Sequence, residues 1–403
     1  MRSTGVSFSS RFHWGSRPNA LTALLAEKRR SEAPVLDLTE SNPTHAGIAY
    51  PQEEILGALS DARALRYDPD PRGMFIAREA VSRYYAGRGV DVDPSRIILT
   101  ASTSEAYSYL FKLLTDPGDA ILAPRPSYPL FEYLAAMESV EVRQYPLRYD
   151  GVWHIDFAAL ENAAGSDAAR LRAIVIVNPN NPTGSYLKRD EWARLAEWAA
   201  ERGLAILSDE VFSDFALIPE KGAPDGERVA TLAAAEEAPV FTMSGLSKTA
   251  GLPQMKLGWI VASGPGRRAA LDGLEWIADT YLSVATPVQL ALDRLLEATE
   301  SVRDRIRVRT ADNLATARAI LEAGASSVCR VLNMEGGWNI VIQMPRTRSE
   351  EEWALGLLRD ADVLVQPGFF YDFESEAYVV ASLLTEPVVF KEGIGRLCGY
   401  VAG

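Results

Sequence analysis

Ala173-Ile174-Val175-Ile176-Val177-Asn178-Pro179-Asn180-Asn181-Pro182-Thr183-Gly184 carries the reading on which the fold turns. Its first half is an unbroken apolar run with no polar alternation, as in a strand covered on both faces. Its second half is denser in Asn, Pro and Gly than a turn requires, which marks a specified backbone, and Asn181-Pro182 is a candidate cis peptide. Residues 189–202 then read as a helix with Gly203 as its C-terminal cap. Leu204-Ala205-Ile206-Leu207-Ser208 is a second apolar strand, and Asp209 follows it. Strand, turn, helix and strand in that order predict a parallel pair joined by a crossover.

The same texture extends outward. Ile97–Thr100 reads as a strand, and Ser102-Thr103-Ser104 opens a helix to about Leu114, stopped by Asp116-Pro117-Gly118. Residues 120–123 form a strand ended by Pro124 and Pro126, and short strands follow at 140–142, 240–243 and 257–261. The expectation is an α/β fold with a mostly parallel, seven-stranded sheet flanked by helices. After residue 300 the pattern changes to a charged helix (304–323) and a hairpin of 330–334 with 338–344 around Glu335-Gly336-Gly337. A capping box from Ser349 to Glu352 precedes a helix to residue 360. Strands at 363–365 and 378–384 and a final helix from about Val388 complete the chain. Residues 51–290 are expected to form a large domain, and 1–50 with 291–403 a smaller α+β domain.

A chain of 403 residues is long enough for two such cores. The net charge of −13 argues against nucleic acid or an anionic membrane as partner. No apolar stretch reaches the ~18 residues of a membrane span, and the N-terminus has no apolar core of signal-peptide length, so the expected location is cytoplasmic. The only cysteines are Cys329 and Cys398, which fits a reducing compartment, and with three histidines they do not suggest a zinc cluster.

In open α/β sheets ligands bind beyond the carboxyl ends of the strands, and five such ends here carry polar or aromatic groups. Ser102, Thr103 and Ser104 open a helix and offer a cup for a phosphate. Tyr128 offers an aromatic face, Asn181 an amide, Asp209 a carboxylate and Lys248 an amine. Each has an ordinary alternative: helix capping for the serines and Asp209, packing for Tyr128, a solvated loop for Lys248. One ligand uses all five. Pyridoxal phosphate has a phosphate, a flat ring, a phenolic oxygen, a ring nitrogen and an aldehyde, and lysine forms a Schiff base with an aldehyde once it has lost its proton.

Over roughly residues 37–400 the chain resembles the class I/II aminotransferases, which are fold type I pyridoxal phosphate enzymes. Asn178–Gly184 is similar to the family's Asn-Pro-x-Asn-Pro-Thr-Gly motif, Ser208-Asp209-Glu210-Val211 to the next, and Ser247-Lys248-Thr249-Ala250-Gly251-Leu252-Pro253 to a third. The resemblance implies that Lys248 is the Schiff-base lysine, that Asp209 pairs with the ring nitrogen and that Asn181 bonds the phenolic oxygen. It also implies that Tyr128 stacks on the ring and that Ser102, Thr103 and Ser104 hold the phosphate. Tyr67 matches a tyrosine that reaches the neighbouring subunit's phosphate, so a homodimer with shared sites is expected. Thr39-Glu40-Ser41-Asn42-Pro43 resembles the segment that lines the substrate pocket.

Four positions depart from the pattern. Phe212 stands where the family usually has a tyrosine donating to the phenolic oxygen. Lys256 replaces a phosphate-gripping arginine, keeping the charge but losing the bidentate fork. Gly245 replaces a frequent serine. Val380 stands at the usual carboxylate-clamping arginine, for which Arg11 is a substitute to consider. Trp14, Phe369 and Tyr371 are candidate pocket aromatics, with core packing as the alternative. The expected activity is ping-pong amino transfer between a small amine or amino acid and a keto acid. The alternatives are a β/γ-lyase, or a transaminase for an amine without an α-carboxylate.

Overall fold

A computed structural model of the chain describes residues 9–11, 18–165, 168–217, 227–322, 328–375 and 377–402. Eight strands build the large sheet: β1 (Ile97–Thr100), β2 (Ala120–Arg125), β3 (Glu141–Tyr149), β4 (Trp153–Ile155), β5 (Leu171–Val177), β6 (Ala205–Asp209), β7 (Val240–Gly245) and β8 (Gly258–Ser263). Their spatial order is β1-β8-β7-β6-β5-β2-β3-β4. The pairs β2–β3, β2–β5, β5–β6 and β6–β7 are parallel. Strand β8 runs antiparallel between β1 and β7.

The eighth strand corrects the expected count of seven. It is only Trp153–Ile155, paired antiparallel with the end of β3 across a tight turn. Three residues are too few for a period to show in sequence. Strand β2 also runs past Pro124, where the sequence suggested a stop. Beyond Leu122 it pairs with β3 alone, so the amide that proline lacks is not needed by β5.

Alternate residues of the central strands enter different cores. Ile121, Val175, Leu207 and Met243 lie in one cluster, while Leu122, Ile174, Ile206 and Val240 lie in another on the opposite face. That double burial is why these strands read as unbroken apolar runs. Helices Thr103–Leu114 and Arg267–Tyr281 contact each other over the first face. Helix Arg189–Glu201 covers the second through Leu195, Ala196 and Ala199.

A four-stranded antiparallel sheet forms from Arg330–Val331, Asn339–Gln343, Tyr378–Ser382 and Gln366–Pro367. The expected capping box is present, with Ser349 and Glu352 bonded reciprocally at the start of helix Glu350–Asp360. The strand Leu36–Asp37 pairs in parallel with Val363–Leu364. Leu21 and Leu38 accordingly share a core with Leu314, Ile340, Trp353 and Leu397. Among the described residues no helix is long and apolar enough to cross a membrane.

Candidate active site

Strand β6 ends on Asp209. Its Oδ1 accepts the Val211 N–H at 3.2 Å and its Oδ2 accepts the Tyr107 hydroxyl at 3.0 Å. Burial pushes this carboxyl up to about 6; those two donors and Lys248 pull the other way. Strand β7 ends on Gly245, and a single helical turn, Leu246–Thr249, carries Lys248. A Cβ on Gly245 would lie 2.9 Å from the Gly258 Cα and from the Leu257 carbonyl oxygen. The glycine is therefore set by the close crossing of β7 and β8, which explains why no serine stands there. Desolvation lowers the proton affinity of Lys248, opposed by Asp209. Its Nζ sits 5.6 Å from the ring centre of Phe212 and 5.0 Å from that of Trp338.

The loop after β5 is fixed from several sides. The Asn178 amide donates to the Asp209 carbonyl at 2.8 Å, and its Nδ2 donates to the Val229 carbonyl at 2.8 Å. The Asn181–Pro182 peptide is cis, as expected, as are Asn178–Pro179 and Arg125–Pro126. Gly184 has φ +69°, and a Cβ there would lie 2.4 Å from the Gly336 carbonyl oxygen, so only glycine fits both the conformation and the approach. Opposite it, the Glu335 amide donates to the Gly184 carbonyl at 3.0 Å. The Glu335 carboxylate is itself held by Lys188 and, at 2.9 Å, by Arg228. This turn delivers Trp338 and Asn339 to the site, where Asn339 Nδ2 donates to Asn181 Oδ1 at 2.8 Å.

These elements enclose a cavity of about 300 Å3. Of the residues expected from sequence, Thr103, Tyr128, Asn181, Asp209 and Lys248 line it. Ser102, Ser104, Lys256 and Tyr67 are not in its wall. Ser102 caps helix Thr103–Leu114, its Oγ accepting the Glu105 amide at 3.1 Å. Lys256 is exposed in a left-handed conformation. Tyr67 is 77 % exposed and borders a separate depression with Leu282 and Ser283. Thr39 and Ser41 line the cavity, whereas Asn42 turns its Oδ1 to the Thr44 amide. Tyr371 lines it, with its hydroxyl on Gln366. Phe369 is half-exposed and Arg11 exposed, both outside the wall; Trp14 lies outside the described residues. Val380 is buried among Trp153, Leu332, Val341 and Tyr371. Among the described wall residues Lys248 is the single lysine or arginine.

Contributors not anticipated include Ser127, next to Tyr128, and four others: Tyr107, Trp338, Asn339 and Gln366. Tyr107 had a signal, since it lies one helical turn after Thr103 and so shares its face. Trp338, Asn339 and Gln366 come from the small sheet and its turn, whose approach to the large sheet leaves no local pattern.

The donor set fits pyridoxal phosphate. Lys248 is a desolvated amine, and Asp209 is a buried carboxyl whose cost a cationic ring nitrogen would relieve. The N-terminal turn of a twelve-residue helix meets the cavity at Thr103, which suits a phosphate. Two buried polar atoms of the wall, Ser127 Oγ and Trp338 Nε1, have no partner among the described residues and can bond a ligand.

A family model described as "Aminotransferase class I and II" matches residues 33–379. Glutamate-pyruvate aminotransferase AlaA of Haemophilus influenzae is 26% identical over 378 residues, spanning 91% of each chain. S-alkyl-thiohydroximate lyase SUR1 of Arabidopsis thaliana is 30% identical over 252 residues, 61% of this chain and 52% of that one. Alanine aminotransferase of Pyrococcus furiosus superposes with a TM-score of 0.82 over 98% of this chain and 100% of its own, at 22% identity, a likeness of fold.

Proposed function

The chain belongs to the class I and class II aminotransferases, a pyridoxal phosphate-dependent family, and on that premise we propose how its own residues carry out amino transfer. When bound, pyridoxal phosphate supplies an aldehyde that captures amines and a ring that withdraws electrons from the substrate Cα. Lys248 would hold the cofactor through its amine. Burial lowers its proton affinity, in the direction of the neutral amine that such a bond needs. Lys248 Nζ would serve as the base that takes up the substrate's Cα proton and gives it back. Asp209, oriented by Tyr107 and Val211, would keep a proton on the ring nitrogen. Asn181 would donate to the phenolic oxygen and Tyr128 would stack on the ring. Thr103, at the helix N-terminus that meets the cavity, would hold the phosphate, while Ser102, Ser104 and Lys256, expected to share that role, would have to act from outside the cavity wall. Two half-reactions in turn give ping-pong kinetics.

The observation that carries this reading is the meeting of Lys248 and Asp209 in one cavity, the amine with its proton affinity lowered toward its task and the carboxyl placed where a cationic partner would relieve the cost of its charge. The test is to mix the loaded enzyme with an amino donor alone. Stoichiometric pyridoxamine phosphate supports transfer; release of ammonia with an unaminated cofactor would mean a lyase.

A second reading concerns the donor. Val380 is sealed in an apolar cluster, which favours an amine without an α-carboxylate. Amino acids and simple amines, added in parallel, separate the two: bleaching of the visible band by amines alone supports the second reading, and bleaching by amino acids removes it.

A homodimer with shared sites is supported by Leu65 (94 % exposed), Trp276 (78 %) and Tyr67 (77 %), large apolar groups that a partner would cover. The division into residues 51–290 and into 1–50 with 291–403 is supported by the core that Leu38 shares with the C-terminal elements. The net charge of −13 fits a cytoplasmic enzyme of small molecules.

A further inference from the structure

We propose that Asn339 is a positioning residue that sets which end of the Asn181 amide faces the cofactor's phenolic oxygen; this rests on the role given to Asn181 above. An asparagine side chain has an accepting and a donating end. Asn339 Nδ2 donates to Asn181 Oδ1 at 2.8 Å. With its oxygen engaged there, Asn181 has its NH2 left for the cavity that it lines. An ionised phenolic oxygen needs that polarity, because a carbonyl turned toward it would repel it. Phe212, also in the wall, has no donor to compensate.

Asn339 is held for this task. It is 9 % exposed and opens the strand Asn339–Gln343, in register with Ser382. The turn before it is tied to the Asn181 loop by the Glu335 amide on the Gly184 carbonyl, at 3.0 Å. It is tied again by the Glu335 carboxylate on Lys188 and Arg228. The two amides therefore meet through ties that do not depend on the ligand.

The test reverses the polarity. In Asn339→Asp the side chain only accepts, so Asn181 turns its NH2 toward it and its carbonyl toward the cofactor. Asn339→Leu merely releases Asn181. The full chain is titrated with pyridoxal phosphate, following the visible band and its pH midpoint. The dissociation constant is expected to rise roughly 10- to 100-fold for the aspartate variant and about fivefold for the leucine variant. In an Asn181→Ala background, Asn339→Asp should change it by less than about twofold. An aspartate effect of equal size in that background would overturn the proposal, since the new charge would then act on its own. Should the aspartate variant not fold, the same cycle run with Asn339→Leu decides, and persistence of its effect overturns the proposal. A normal wild-type band with both single variants unchanged overturns this inference alone. A wild-type chain with no band that Lys248→Ala removes overturns the site reading as well.

Discussion

Asp209→Asn separates what the site costs the fold from what it contributes to the cofactor. Burial raises the Asp209 carboxyl from 3.8 to about 6. A folded value above the unfolded one makes the charged form unfavourable in the native state. The penalty is small below pH 4, about half developed at pH 5 and complete above pH 6 to 7. Two units correspond to about 3 kcal/mol, a figure that already includes the attraction of Lys248. An amide removes the charge but keeps one acceptor for the two donors, Tyr107 and Val211, which returns about 1 kcal/mol. The cofactor-free variant should therefore exceed wild type by about 2 kcal/mol at pH 8 and by less than about 1 kcal/mol at pH 5. Urea unfolding at the two pH values measures this. The growth of the advantage with pH is the decisive quantity. A difference that stays flat, or falls toward pH 8, refutes the reasoning. With saturating pyridoxal phosphate the order should reverse, because the variant would lose the charge proposed to balance the ring nitrogen.

Phe212→Tyr adds a hydroxyl in the cavity wall beside Lys248. The pH midpoint of the visible band should fall by about 0.5 to 1 unit, as one more donor to the phenolic oxygen implies; an upward shift in spectrophotometric titration would contradict this. Glu335→Ala leaves Lys188 and Arg228, each under a fifth exposed, without their shared partner. Stability measured by denaturant unfolding should drop by about 3 kcal/mol or more, and cofactor affinity should drop with it because the turn bearing Trp338 and Asn339 loosens. Unchanged affinity in the folded variant would sink that link.

The five strand-end groups were legible because each sits next to a strong local signal. Lys248 and Asp209 follow apolar runs, Asn181 lies in a loop dense with proline, and Thr103 opens a helix whose caps are readable. Gly245 looked like a departure and proved to be packing, since only the register of β7 against β8 shows the 2.9 Å approach that excludes a side chain. Val380 was legible as a position but not as an environment: its place among Trp153, Leu332 and Tyr371 joins segments distant in the chain. Tyr67, Lys256, Ser102 and Ser104 lie outside the cavity wall of the single chain.

Period, composition and turn chemistry by themselves determined the α/β fold and the strand ends whose side chains line the cavity, because those are short-range properties of the chain. Tertiary structure alone decided what surrounds them. Tyr107 reaches Asp209 by the packing of a helix on the sheet. Trp338 and Asn339 reach Lys248 and Asn181 because a part-buried carboxylate, Glu335, ties the small sheet's turn to loops of the large one. A contact made by the folding together of distant segments has no period and no spacing, so nothing in the linear order of residues announces it.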